Sequence, residues 1–214
     1  MIDSEEFQYL AAKMGCEISI NASTRLLAYL DAMLEQNRSV NLTAVRDRES
    51  AVIFHALDSV VMGCVPFKKA PENALDIGTG NGFPGVAIAC LFPEAQVVLM
   101  DRTLKKLKAI ERALDFAGFD LKKFELVQMD ASEAPSHGYK GKFNLITNRA
   151  VGPPNEMGIL SMPLLAEEGR MLAWLSDDTA APTTLKGGLR FVGEMYYDLP
   201  SPANRKRHLV DYAH

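Results

Sequence analysis

The chain has 214 residues, of which 48% are hydrophobic and 23% are charged. This composition is typical of a folded globular protein and excludes a disordered or collagen-like chain. The 23 Lys and Arg residues and 27 Asp and Glu residues give a net charge of −4. That balance excludes a uniformly basic surface, so any nucleic-acid partner must bind a local basic patch.

Cysteine usage and the N-terminus indicate where the protein works. Cys16, Cys64 and Cys90 are far apart and form no CxxC pair, which argues against a disulfide framework and a zinc ribbon. Residues 1–6 are acidic where a signal peptide would be basic. The apolar stretches are far shorter than the roughly 20 residues that span a membrane. We therefore expect a cytoplasmic monomer with no membrane segment and no metal.

The first part of the chain shows helical periodicity. Apolar residues recur at helical spacing from Phe7 to Met14, and a second stripe from Leu26 to Leu34 follows the cap candidates Asn21 and Ser23. A third helix is expected from Arg48 to about Met62. These stretches predict a helical segment before any strand.

From Ala74 onward, short apolar runs alternate with amphipathic stretches, which predicts a parallel sheet covered by helices on both faces. The last two strand candidates have no long helix between them and suit an antiparallel hairpin at one edge. We predict an α/β fold, with a Rossmann-like sheet over residues 66–214 as one compact domain and a helical cap over residues 1–65. The strand candidates begin at Ala74, Gln96, Phe124, Phe143, Arg170, Phe191 and His208.

The most informative motif follows the first predicted strand and opens a helix. It reads D-x-G-x-G-x-G and is followed by Phe83, where a dinucleotide-binding loop would need a third glycine, so the nicotinamide interpretation fails. Glycines let the backbone approach a nucleoside closely, and Asp76 suits the cationic amino group of S-adenosylmethionine, directly or through water. A tight turn without a ligand is the alternative. The candidate contacts are Asp76, Gly78, Thr79, Gly80, Gly82 and Phe83.

Acidic residues follow the next two predicted strands. Asp101 ends the second strand, 19 residues after Gly82, which matches the carboxylate about 20 residues on that accepts ribose hydroxyls in nucleoside-binding sheets. Asp130 follows the third strand, where such sheets often hold the adenine amino group; capping of the next helix is the alternative. We predict that Asp101, Asp130 and the adjacent Ala131 contribute to the donor site.

The fourth predicted strand leads into Asn148 and Arg149, at the position that faces a transferred methyl group. Amino-group methylation of adenine or cytosine usually needs Asn or Asp followed by Pro-Pro, and cytosine C5 methylation needs a cysteine; neither pattern is present. A nucleophile with its own lone pair, such as guanine N7, remains, and Arg149 suits a bidentate contact to O6 or a phosphate. We predict both side chains as catalytic and Arg149 as a donor contact. A salt bridge from Arg149 to a helix carboxylate is the alternative.

Four sequence blocks together are similar to one known family. They are N-L-T-A-V-R-D from Asn41, H-A-L-D-S from His55, G-T-G-N-G-F-P-G from Gly78, and the pair Arg149-Ala150. Over nearly the whole chain they resemble the glucose-inhibited division protein B family of bacterial methyltransferases. The resemblance implies a class I fold with an N-terminal helical cap and S-adenosylmethionine as donor, with S-adenosylhomocysteine as product. It also implies transfer to N7 of a guanine in 16S rRNA of the small ribosomal subunit.

Three positions differ from the family pattern on the acceptor side. Asn148 stands where the family usually has Ser, and Asp130 stands where it usually has Arg. After the fifth strand, Leu175 and Ser176 replace the expected Lys-Gly. The donor motif is therefore intact, whereas the acceptor side is altered and the exact nucleotide stays open.

The remaining candidates are a helical pair and several basic clusters. His55 and Asp58 are three residues apart and are expected on one helix face, under the donor pocket or simply in the core. Leu42 and Thr43 suit a loop that closes over the site. Basic clusters are usually solvated, but these are the candidate RNA contacts: Arg46 and Arg48, Lys68 and Lys69, Lys105, Lys106 and Lys108, Lys122 and Lys123, and Arg205, Lys206 and Arg207.

Three hypotheses follow for the function. The first is an RNA guanine-N7 methyltransferase that works mostly by positioning its substrates. The second is a small-molecule methyltransferase, which the net charge of −4 favours. The third is a non-catalytic RNA or ribosome assembly factor with a vestigial donor pocket, which the change at Leu175 and Ser176 favours.

Overall fold

The computed structural model describes all 214 residues and contains a seven-stranded sheet with the order β3-β2-β1-β4-β5-β7-β6. Strands β1 to β5 are parallel, and β7 runs antiparallel between β5 and β6. The predicted α/β class and the antiparallel hairpin at one edge are therefore confirmed. The strands are β1 (Asn73–Ile77), β2 (Gln96–Asp101), β3 (Phe124–Gln128), β4 (Phe143–Arg149), β5 (Leu165–Ser176), β6 (Arg190–Leu199) and β7 (Arg205–Ala213).

Helices precede the sheet and connect its strands. None of them combines the length and hydrophobicity needed to span a membrane. The N-terminal helices are α1 (Ser4–Lys13), α2 (Ile20–Asn37), and a continuous 48–64 helix made of α3 (Arg48–Ala51), a π-helical turn (Val52–Leu57), α4 (Asp58–Val60) and a 3-10 turn (Val61–Cys64). The connecting helices are α5 (Gly85–Leu91), α6 (Leu104–Phe116) and α7 (Pro154–Ser161).

The start of α2 differs from the sequence prediction. Ser19 precedes the helix, and its Oγ accepts a 3.1 Å hydrogen bond from the Ala22 backbone N–H. Serine is a favoured residue at this position because its side chain satisfies a backbone donor of the first turn. Asn21 and Ser23 lie inside the helix, so their prediction as caps is wrong.

Two apolar clusters cover the two faces of the sheet. The larger one contains 45 buried residues and joins Leu30 and Met33 of α2 to Val86 of α5 and Ile110 of α6. The smaller one contains 18 residues and covers the other face. The helical region thus shares a continuous core with the helices of the sheet. The domain boundary after residue 65 stays a prediction.

One pair of cysteines departs from expectation. The sulfur atoms of Cys16 and Cys64 are within bonding distance, with their Cα atoms 5.5 Å apart, whereas Cys90 is free and buried. The sequence argued against a disulfide framework, and this single pair is a departure from that expectation. Their separation of 48 residues in sequence is closed by the packing of the loop after α1 against the end of the 48–64 helix.

Candidate active site

Residues 78–85, called the glycine loop below, connect β1 with α5. The first three glycines have φ values between +57° and +88°, a region that other residues rarely adopt. The Gly80 N–H donates to Asp101 Oδ2 at 3.1 Å, and the Gly82 N–H donates to the Thr79 carbonyl at 2.8 Å. These bonds hold the loop over the carboxyl end of β1 and beside the end of β2.

Asp76 is fully buried beneath this loop. Its Oδ1 accepts a 2.8 Å hydrogen bond from Thr147 Oγ1, and its Oδ2 accepts a 3.0 Å bond from the Gly85 N–H at the start of α5. Burial raises the pKa of Asp76 to about 6, although the hydrogen bonds oppose the rise. The Asp76 carboxylate does not line a cavity at this end of the sheet, so it supports the glycine loop from beneath.

Two cavities lie at the carboxyl ends of the strands and meet at Gly78. The first, named the nucleoside cavity after the ligand predicted from sequence, has a volume of about 270 Å³ and includes Asp101, Asp130 and Ala131. The cationic cavity has a volume of about 580 Å³ and includes four Lys and Arg side chains. A Cβ atom at Gly78 would lie 2.8 Å from a methyl group of Val151, so only glycine fits where the cavities meet.

The nucleoside cavity has a carboxylate at the end of each of two strands. Asp101 is 9% exposed, and its Oδ1 accepts a 2.8 Å hydrogen bond from the Thr103 N–H. Asp130 accepts hydrogen bonds from the backbone N–H and hydroxyl of Ser132 and lies 2.7 Å from Arg102 Nη2. The bonds from Ser132, together with the Arg102 charge, lower the pKa of Asp130. Asp130 therefore lines the cavity and also caps the turn after β3.

The cationic cavity is built from elements distant in sequence. Lys106 comes from α6, Arg149 from β4, and Arg205 and Arg207 from β7. One wall is the loop after α2, where Leu42, Thr43 and Val45 line the cavity. The sequence predicted that Leu42 and Thr43 belong to a loop that closes over the site; closure itself stays a prediction.

The wall loop is held by a single side chain of α2. Asn37 Oδ1 accepts hydrogen bonds from the backbone N–H groups of Leu42 and Thr43, at 2.8 and 3.0 Å. Asn37 Nδ2 donates to the Thr43 carbonyl at 3.1 Å. The amide therefore fixes both sides of this turn and orients the Thr43 side chain.

The guanidinium group of Arg149 is buried and donates its hydrogen bonds to groups of the protein. Its side chain is 9% exposed and its Nη1 donates to Asp58 Oδ2 at 3.1 Å and to the Phe54 carbonyl at 3.1 Å. Its Nη2 donates to the Phe83 carbonyl at 3.3 Å. Arg149 thus ties the 48–64 helix to the glycine loop, as the salt-bridge interpretation expects. The predicted contact with guanine stays a prediction.

Asp58 connects the helical region to the far half of the sheet. Its Oδ1 accepts a 2.6 Å hydrogen bond from the Tyr197 hydroxyl, and its backbone carbonyl accepts a 2.8 Å bond from Trp174 Nε1. Arg207 Nε lies 3.8 Å from the same Oδ1 atom. Burial and the Asp58 charge raise the pKa of Tyr197 well above its usual range. No sequence motif marks Tyr197 or Trp174, and both were missed.

His55 lies beside Asp58 on the cavity wall. Its Nε2 is 2.9 Å from Thr43 Oγ1, and its ring stacks on Phe83 with 6.1 Å between centroids. Burial, together with the charges of Arg149 and Arg207, lowers the pKa of His55 to about 3. The ring is therefore neutral at ordinary pH and serves as a hydrogen-bond partner of the wall loop.

Asn148 does not reach either cavity. It pairs in register with Ile77, and both share a sheet face with Ile146 of the smaller apolar cluster. Its side chain is buried on that face, and its Nδ2 has no hydrogen-bond partner. Its catalytic role therefore stays a prediction.

Of the predicted RNA contacts, Lys106, Arg205 and Arg207 line the cationic cavity. Lys105 is exposed on α6 next to Lys106. Arg46 lies outside this cavity and donates hydrogen bonds to two oxygens of the helical region. The basic character of the cavity therefore depends on α6 and β7.

Two other basic clusters lie at the opposite end of the sheet. Lys68 and Lys69 precede β1, and Lys122 and Lys123 precede β3, which puts them near the amino ends of parallel strands.

Sequence reasoning also missed Phe54, which lines the cationic cavity and has the Arg205 guanidinium 5.5 Å from its ring centroid. Its position within an apolar run of the helix carries no signal of this role.

The chain matches one known protein family by sequence. The family model described as rRNA small subunit methyltransferase G matches residues 22–183. The ribosomal RNA small subunit methyltransferase G of Syntrophotalea carbinolica is 31% identical, over 81% of this chain and 78% of the relative. Its counterpart from Acinetobacter baumannii is 34% identical, over 79% of this chain and 78% of the relative.

Solved structures support the fold. A SAM-dependent methyltransferase from Aquifex aeolicus superposes with a TM-score of 0.56 at 11% identity, covering 77% of this chain and 93% of its own. Fibrillarin from Aeropyrum pernix, with bound S-adenosyl-L-methionine, has a TM-score of 0.53 at 14% identity and covers 76% of each chain. At these identities the likeness shows the fold alone, and the predicted class I methyltransferase sheet is confirmed.

The matched segment contains both cavities apart from the two β7 arginines. It also contains the four sequence blocks on which the resemblance depends, so the resemblance is confirmed. The match agrees with the first of the three hypotheses and not with a small-molecule enzyme or a non-catalytic factor. The chain belongs to the rRNA small subunit methyltransferase G family, and it is an enzyme whose methyl donor is S-adenosylmethionine.

Proposed function

We propose that the protein transfers a methyl group from S-adenosylmethionine to N7 of a guanine in 16S rRNA of the small ribosomal subunit. The observation that carries the proposal is the pair of cavities that meet at Gly78, one lined by carboxylates and one by cations. A donor on the acidic side and a nucleotide on the cationic side would meet beside the glycine loop.

The nucleoside cavity fits the adenosyl part of the donor. Asp101 at the end of β2 suits the ribose hydroxyls, and Asp130 at the end of β3 suits the adenine amino group, next to Ala131. We assign donor binding to these residues and the glycine loop, with Asp76 acting through the loop.

The chemistry requires positioning and no base. When bound, S-adenosylmethionine supplies an electrophilic methyl group on a sulfonium sulfur. Guanine N7 has a lone pair and no proton to lose, so no side chain has to accept one. The two candidates for such a role are already engaged, because His55 contacts Thr43 and Asp58 accepts from Arg149 and Tyr197. This arrangement supports a nucleophile that needs no activation.

The cationic cavity suits RNA. Lys106, Arg205 and Arg207 supply charge for phosphate groups. Arg205 over the Phe54 ring forms a flat surface that suits base stacking. A contact between Arg149 and guanine would require Arg149 to give up hydrogen bonds to the 48–64 helix, so we assign Arg149 mainly to the wall of the cavity.

The proposed setting is a monomer that acts in the cytoplasm on the small ribosomal subunit. An acidic chain with one cationic cavity suits a large RNA partner that meets a restricted surface. Free 16S rRNA and the assembled subunit are distinguished by the experiment below.

The test uses small subunits from a strain that lacks this family of enzymes, with free 16S rRNA and transfer RNA as parallel substrates. Each is incubated with methyl-labelled S-adenosylmethionine, digested, and analysed by nucleoside mass spectrometry. We expect label in 7-methylguanosine from the subunits alone. Label in another nucleoside, or in transfer RNA at the same rate, would contradict the proposal.

A further inference from the structure

The helical region reaches the glycine loop through one buried side chain. Tyr29 of α2 has no exposed surface, and its hydroxyl donates a 2.9 Å hydrogen bond to the Asn81 carbonyl, 52 residues away in sequence. Its ring packs edge-on against Phe83 and Phe119, with 5.4 and 6.3 Å between centroids. The two aromatic contacts fix the ring, so the hydroxyl has a defined position.

With this hydrogen bond, both polar ends of the peptide group between Asn81 and Gly82 are paired. The carbonyl belongs to Asn81 and accepts from Tyr29, while the N–H belongs to Gly82 and donates to the Thr79 carbonyl at 2.8 Å. The Asn81 side chain also accepts from the Phe83 N–H at 3.2 Å. Rotation of the peptide would break a buried hydrogen bond at each end, which is unfavourable.

Gly82 and Tyr29 fit each other closely. Gly82 has a φ of +88°, and a Cβ atom there would overlap the Tyr29 hydroxyl and lie 2.8 Å from Cζ. Glycine is thus required both by its backbone conformation and by the tyrosine. The hydroxyl occupies the space that a side chain on the loop would otherwise fill.

We infer that Tyr29 is a positioning residue for the methyl donor, because its hydroxyl holds the Asn81 peptide and so fixes the course of the glycine loop that begins at Gly78 of the nucleoside cavity. The inference rests on the donor site of the proposed function. Burial and the nearby Asp76 carboxylate raise the pKa of Tyr29, so the hydroxyl keeps its proton and remains a donor. The helical region therefore contributes to donor binding.

The test compares two tyrosine variants. Tyr29→Phe removes the hydroxyl and keeps the ring, and we expect the Kd for adenosylhomocysteine to rise about five- to tenfold by calorimetry. The KM for the donor should rise similarly, whereas kcat at saturating donor and the KM for the small subunit should change less than twofold. Tyr212→Phe is the matched control, since Tyr212 is equally buried and its hydroxyl has no partner. It should bind the donor like the wild type.

Unchanged affinity in Tyr29→Phe would overturn the inference, even with a lower melting temperature, because the hydroxyl would then be only structural. A second measurement needs no variant. The Gly82 amide of the donor-free wild type should exchange slowly with solvent by NMR, and exchange at the rate of an open loop would also overturn it. If the wild type did not bind adenosylhomocysteine, the proposed donor site itself would be wrong. That result differs from a failure of the Tyr29 inference, in which the wild type and Tyr29→Phe bind equally well.

Discussion

The two cavities that meet at Gly78 differ in charge and in what holds them in place. The nucleoside cavity is formed by the ends of the neighbouring strands β2 and β3, and its carboxylates bind backbone groups within two residues or in the glycine loop. The cationic cavity combines α6, β4, β7 and the 48–64 helix around the buried pair Arg149 and Asp58. Substitutions in the nucleoside cavity should weaken donor binding, whereas substitution of the buried Arg149–Asp58 pair in the cationic cavity should destabilise the fold.

The largest expected effect is on stability. Arg149→Ala should lower the free energy of unfolding by about 3 kcal/mol, because it removes the arginine closer to the fully buried Asp58 carboxylate and leaves only Arg207, at 3.8 Å, as ion partner. Urea unfolding measures the change. Combining it with Asp58→Asn should recover part of the loss, since no buried charge is then left unpaired. Wild-type stability of Arg149→Ala with a collapse of methyl transfer would instead support the guanine contact predicted from sequence.

The next effect concerns the nucleoside cavity. Asp101→Ala should raise the Kd for adenosylhomocysteine about 100-fold, because it removes the proposed charged acceptor of the ribose hydroxyls. Adenosylhomocysteine should raise the melting temperature of the wild type, and NAD should not. Asp115→Ala is the control, because Asp115 is exposed on α6. Equal affinities in the two variants would show that Asp101 does not bind the donor.

The difference between the cavities also explains what could be predicted from the sequence. Parallel strands bring consecutive carboxyl ends together, so Asp101 and Asp130 could be assigned to one site from their order alone. The ion pair of Arg149 with Asp58 spans 91 residues, and no local pattern specifies such a partner. The orientation of Asn148 depends on the strand register, because a shift of one residue moves a side chain to the other face of the sheet.

A smaller effect is expected on RNA binding. Lys106→Ala should weaken binding to small subunits about three- to tenfold and reduce the salt dependence by about one phosphate contact. The loss should be similar for any RNA sequence, because the contact is to phosphate. Lys69→Ala is the control at the other end of the sheet, where Lys69 pairs with Glu72 at 2.6 Å. Equal losses in both variants would show that the cationic cavity is not the RNA site.

The smallest expected effect is on the pH dependence of transfer. His55 has a pKa lowered to about 3 by burial and neighbouring arginines, so it does not titrate between about pH 6 and 9, where a catalytic base would act. At saturating substrates the rate should therefore show no ascending limb in this range. An ascending limb that disappears in His55→Gln would mean that the nucleophile needs a base, which would contradict guanine N7.

The lowered pKa of His55 also makes the free energy of unfolding depend on pH. Stability falls as the solution becomes more acidic, whereas a group with a raised pKa would lose its contribution as the pH rises. The unfolded chain binds a proton at His55 below about pH 6.5, whereas the folded chain does so only near pH 3. The stability that the neutral ring contributes is therefore complete above pH 6.5 and is lost as the pH falls toward 3. His55→Gln should flatten the unfolding free energy across that window, measured against the wild type at each pH. Equal slopes would show that folding leaves the pKa of His55 near its ordinary value, so that the ring gains a proton below about pH 6.5 in both states.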